Sequence, residues 1–123
     1  MITPPSDTLP IIHCLRILHK DIYVIGKTLP KSQKLGIHAF IEKTILMAMR
    51  LAIQAAFEKR GYKQVTVEKL RIETEILKHL IRTEWECAVI KEKTFIHLAK
   101  QLVEIGKMTN GWISFLSKTQ KEP

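Results

Sequence analysis

The sequence predicts an all-α protein, an antiparallel up-down-up-down four-helix bundle, on three observations. Apolar residues recur at steps of three and four through four separate segments, no stretch alternates with the period of a strand, and the breakers between segments are short. The 123 residues suffice for one domain with a real core, spanning 1–123. Only the tails, about 1–9 and 119–123, read as frayed.

The first helix starts at Pro10, whose missing N–H is harmless in a first turn. From there Ile11, Leu15, Leu18, Ile22, Ile25 and Leu29 form one apolar seam. Pro30, in "LPKSQK", stops this helix, and Ser32 is the candidate N-cap of the next. The second helix is predicted from about Gly36 to Arg60, with a stripe of Ile37, Ile41, Ile45, Ala48, Ala52 and Ala55. Phe40, Met47 and Leu51 fill one adjoining face, and Leu46 and Ile53 lie beyond the other. Such a helix needs more than one neighbour to cover it.

In "RGYKQVT", Gly61 reads as a C-terminal stop and Thr66 as a cap, so a third helix is expected from near Val67. Leu70, Leu77, Ile81, Trp85 and Ala88 share its inner face. The fourth is expected from Lys91 to Lys93 onward, with Phe95, Leu98, Leu102, Ile105, Thr109, Trp112 and Leu116 facing inward. It carries two glycines, each costing about 1 kcal/mol relative to alanine in a helix interior. Gly106 falls beside the apolar stripe, where a missing side chain lets another helix come close, and Trp112 lies in the stripe itself. Gly111 falls on the outward face with Lys93, His97, Lys100, Glu104 and Lys107, where a contact outside the bundle or a tolerated kink accounts for it equally well.

Twenty Lys and Arg against twelve Asp and Glu leave a net charge of +8, suited to an anionic partner such as nucleic acid. The segment "MITPPSDTLP" lacks the pattern of a signal peptide, and no run is long and apolar enough to span a membrane, so a cytoplasmic protein is expected. Cys14 and Cys87 stand far apart and read as two buried thiols. The five histidines show no metal-ligand spacing, and no glycine-rich loop follows a strand. No catalytic site, metal or cofactor is therefore predicted.

The stretch "EIGKMTNGW", Glu104 to Trp112, resembles the E-I-G-R-M-x-G-G-W signature of the accessory variability determinant (Avd) proteins of diversity-generating retroelements. Two further motifs agree in order and spacing. "LPKSQK" is similar to that family's F-P-R-S-x-R turn, and "LKHLIR" at Leu77 to Arg82 to its L-R-x-L-x-R helix. The resemblance implies a four-helix bundle assembled into a barrel-like homo-oligomer, a pentamer, with no catalytic site of its own. It also implies two partners, the retroelement's reverse transcriptase and its RNA template, with DNA as a further candidate. The sequence departs from the pattern at Leu29 for the usual aromatic, at Asn110 for a glycine and at Lys91 for a serine cap, and two residues are missing between Lys34 and Leu35.

The candidate nucleic-acid contacts are Lys31 and Lys34 in the matching turn, and Lys59, Arg60 and Lys63 as a basic run between helices two and three. Arg71, Lys78 and Arg82 join them at the border of the third helix's apolar face. No aromatic platform accompanies them, so binding is expected to be electrostatic and indifferent to base sequence. A stripe of His13, Arg16, Lys20, Tyr23 and Lys27 on the first helix reads as a solvated face. The alternative function is a protein scaffold whose basic faces meet an acidic protein surface. The candidate close-approach and interface residues are Gly106, Gly111 and Trp112.

Overall fold

The computed structural model describes residues 9–120, and over them the chain is helical without strands. Four long helices form a bundle: α1 (Pro10–Lys27), α3 (Ile37–Phe57), α4 (Arg60–Glu86) and α5 (Glu92–Gln120), with a five-residue helix α2 (Lys31–Leu35) at the first corner. Of the predicted frayed tails, about 1–9 and 119–123, residues 1–8 and 121–123 lie outside the described residues, whereas Leu9 is the N-cap of α1 and packs against the core, and α5 continues through 119 and 120.

Around the bundle α1 packs on α3, α3 on α4, α4 on α5, and α5 back on α1. Long-range side-chain contacts give the directions. His38 meets Glu84 while Lys63 reaches Ala55, and Trp85 stacks on Phe95 while Gln64 reaches Ser117, so both neighbour pairs run antiparallel. The core is the set of stripes expected from the sequence: Ile11, Leu15, Leu18 and Ile22, then Ile41, Ile45, Ala48 and Ala52, then Leu70, Leu77 and Ile81, then Leu98, Leu102 and Ile105. The small alanines of α3 let it lie close to its neighbours. A second, smaller cluster joins Ala55, Val67 and Leu116 with the half-buried Trp112 and Ile113.

The boundaries differ from the sequence reading in physically explicable ways. α1 ends at Lys27, with Thr28 as C-cap donating its hydroxyl to the Ile25 carbonyl, two residues before Pro30. Pro30 then serves as the N-cap of α2, a role expected of Ser32. Gly36 separates α2 from α3 at φ −91°, ψ −117°, and a Cβ there would lie 2.9 Å from the Ser32 carbonyl oxygen, so the break requires a glycine.

α4 begins at Arg60, seven residues before the expected start at Val67, and the connection to α3 shrinks to Glu58 and Lys59. Gly61 is not a stop but lies in the first turn of α4, exposed, with open space around it. Thr66 is not a cap. It is buried inside α4, its hydroxyl donating to Glu58 Oε1 and lying 3.4 Å from the Tyr62 carbonyl. Burial of Thr66 and Val67 against α3 and α5 extends the helix past residues that favour a break locally.

Ala88, expected on the inner face of the third helix, lies beyond its end, exposed, at φ 62°. Its N–H donates to the Trp85 carbonyl and that of Val89 to the Glu84 carbonyl, the two bonds of a Schellman closure with alanine in glycine's usual place. Of the two cysteines expected to be buried, Cys14 is half-buried and Cys87 exposed.

Candidate nucleic-acid interface

The α4–α5 seam brings three of the eight predicted cations into one groove. Arg71, Lys78 and Arg82 project from α4 along its border with α5, and Lys107 joins them from α5. Leu102, Val103 and Gly106 form the floor, and Asn110 closes one end. Two depressions share Lys78, Leu102 and Val103, so the groove runs continuously from Asn110 to Phe95. At 1.5 Å per residue, Arg71 and Lys78 are about 10 Å apart along the axis and Lys78 and Arg82 about 6 Å.

Each cation also has an acidic neighbour on its own helix. Arg71 pairs with Glu68 at 3.1 Å, Lys78 with Glu75 at 3.1 Å, Arg82 with Glu86 at 3.3 Å, and Lys107 with Glu104 at 3.5 Å. All are exposed pairs, each contributing about 0–1 kcal/mol, so a polyanion can displace the carboxylates at little cost.

The corner helix α2 presents Lys31 and Lys34, both exposed and one turn apart, away from the α4–α5 groove. At the opposite corner the expected loop run of Lys59, Arg60 and Lys63 divides. Lys59 is in the two-residue turn and Arg60 opens α4, both exposed. Lys63 is half-buried, and its Nζ donates to the carbonyls of Ala55 at 2.6 Å and Ala56 at 3.1 Å. It therefore closes the C-terminal end of α3, where carbonyls lack helical partners, and is not a free cation. Beside it Glu58 accepts from Gln54 and from Thr66, and these bonds, with the charges of Lys63 and Lys69, hold its carboxyl below the ordinary carboxylate range. The stability this adds is present at neutral pH and is lost as pH falls through the lowered value.

Of the two glycines of the fourth sequence segment, Gly106 departs from expectation within the protomer, whereas Gly111 lies on the outward face as read. A Cβ at Gly106 meets nothing within 4 Å, so no other helix of the chain approaches closely there. Gly106 is instead an open stretch of groove floor. Gly111 is exposed and likewise faces open space. Trp112 is half-buried, packed against both core clusters, and lines an apolar depression with Leu9, Pro10, Ile11, Met108 and Phe115.

The close approach occurs at Gly26, which the sequence reading did not single out. A Cβ there would lie 2.8 Å from His38 Cδ2 and 2.9 Å from His38 Nε2. The buried pairing of His38 with Glu84 was missed as well, although a signal was present. His38 is in phase with Ile41 and Ile45, and Glu84 with Leu77 and Ile81, so each places a titratable group on a buried stripe. Asp21, also unassigned, accepts from Gln101 at 2.7 Å and lies 3.1 Å from His97, tying α1 to α5. The basic stripe of α1 is exposed as expected, with Lys27 over the Tyr23 ring.

Among the described residues no helix is long and apolar enough to cross a membrane, and no group of three or more His, Cys, Asp or Glu side chains is placed to hold a metal. No curated protein matches the chain. The model of the bAvd-like family, however, matches residues 11–116, a span holding all four long helices but the first residue of α1 and the last turn of α5, together with the three quoted motifs. Over that span the protein belongs to the bAvd-like family.

Proposed function

We propose that the protein is a non-catalytic accessory subunit of a diversity-generating retroelement, binding the reverse transcriptase and template RNA through basic surfaces and so supporting mutagenic reverse transcription. Membership of the bAvd-like family supports the accessory role. The observation that carries the nucleic-acid half is the groove in which Arg71, Lys78, Arg82 and Lys107 line an apolar floor on a protein of charge +8. Lys31 and Lys34, and separately Lys59 and Arg60, extend positive charge to two corners. Lys59 and Arg60 lie at the N-terminal end of α4, whose first turn has no acidic residue and no side-chain cap, a setting that favours an anion. In this reading the protein works in the cytoplasm as a homo-oligomer, a pentamer by family resemblance.

A gel shift with RNA and single-stranded DNA at two salt concentrations tests it. Replacing Lys78 and Arg82 together by Ala is expected to weaken binding with the fold kept, and to lower the salt slope by about 1.4 on single strands. Wild-type affinity and slope in that variant would remove the groove from the interface. No RNA binding by the wild-type chain at any salt, with capture of an acidic protein instead, would favour the scaffold reading.

A further inference from the structure

Among the described residues, His38 and Glu84 are the ionisable side chains in the core, each 1% exposed. The His38 Nδ1 lies 2.7 Å from Glu84 Oε2, and its Nε2 lies 2.8 Å from the Ile22 carbonyl oxygen. A carbonyl oxygen can only accept, so Nε2 carries a hydrogen and donates it. Nδ1 then faces a carboxyl oxygen, and that contact is attractive only while a proton sits between them, on the imidazole or on the carboxyl. Removing it sets two lone pairs against each other away from water. Gly26 belongs to the same arrangement, because any side chain there would occupy the place of the ring.

We propose that Gly26, His38 and Glu84 form a proton-operated latch that fastens α1, and with it the α2 corner carrying Lys31 and Lys34, to the α3–α4 pair. Closed, a single ring ties three helices: α1 through the Ile22 carbonyl, α3 through its own backbone, α4 through Glu84. Losing the shared proton opens it, and the last turn of α1 separates from α3. The charged groups facing the ring are Glu84 from α4 and Glu42 from the next turn of α3, both acidic, while α1 presents the Ile22 carbonyl and the bare Gly26. Burial alone would lower the pKa of the ring. The hydrogen bonds to Glu84 and to the Ile22 carbonyl, with the charges of Glu84 and Glu42, outweigh it and raise the pKa above the ordinary histidine value. The latch is therefore fully closed below about pH 6.5 and opens as pH rises through the raised value.

The test uses the full chain. In ring-nitrogen NMR of histidine-labelled protein from pH 5 to 10, His38 is expected to keep its proton above the ordinary histidine value. Above its midpoint, the amides of Ile22 to Lys27 should exchange faster after correction for intrinsic rate. Glu84→Gln removes the need for the proton, because the carboxamide N–H donates to a neutral Nδ1. Between pH 6 and 9 the wild-type thermal midpoint should fall by roughly 4 °C more than that of Glu84→Gln. Parallel profiles for the two proteins would overturn the latch. If the variant does not fold, the wild-type titration decides alone, and a His38 that loses its proton at or below the ordinary histidine value overturns it.

Discussion

Gly26 and Gly111 show how differently two helical glycines act. Gly26 has the His38 ring where its side chain would be, so Gly26→Ala forces a shift in a packed core, and a loss of about 1–3 kcal/mol is expected in denaturant unfolding. Gly111 faces open space, so Gly111→Ala is expected to stabilise the protein by roughly 0.5–1 kcal/mol through helix propensity and reduced freedom of the unfolded chain. Thermal midpoint, oligomer size and co-purification with the reverse transcriptase should be read together for Gly111→Ala. A less stable or disassembled protein would mean that another chain presses on Gly111, as a close-approach role requires. The sequence placed Gly111 on the outward face correctly, because helical phase depends only on chain position. What lies opposite a glycine depends on a partner helix far along the chain, and for Gly26 that partner is His38.

At the scale of elements, helix interiors were legible and helix ends were not. Interior stripes follow from 3.6-residue periodicity, whereas ends are decided by whichever group satisfies the last backbone donors and acceptors. The closure after α4 is an example: Ala88 adopts a left-handed conformation so that Val89 can reach the Glu84 carbonyl. An alanine in that region costs about 1 kcal/mol, so Ala88→Gly is expected to raise unfolding stability by about that amount, measured by denaturant midpoint at constant slope. An unchanged or lower midpoint would mean that the closure carries no strain. Lys63 makes the same point for the candidate site. From the sequence it is one of three clustered cations, but its position beneath the last turn of α3 turns it inward to two carbonyls.

For the whole molecule, the surface of α3 is the telling feature. Phe40 and Phe57 are each 64% exposed, and Leu46 and Met47 are half-exposed beside them, although α1 and α4 both pack on this helix. Ile72 and Ile76 add exposed apolar surface on α4. Patches of this kind mark interfaces, so the protein is expected to be an obligate oligomer. Light scattering that returned the 14.2 kDa protomer at micromolar concentration would refute this. The sequence already indicated it, because a helix apolar around most of its circumference exceeds what three intramolecular partners cover.

The sequence by itself determined the helical class, the four inward stripes, the family and the outline of the basic α4 border. Each of these depends on residue identity and local spacing, which the covalent chain carries with it. Tertiary structure alone decided where α4 begins, which glycine is sterically required, that Lys63 caps a helix, that Lys107 completes the groove, and that His38 meets Glu84. These rest on contacts between residues distant along the chain, such as Lys63 with Ala55 and His38 with Glu84. Whether a buried polar group finds its partner, and so whether it is tolerable at all, is settled only when the helices pack.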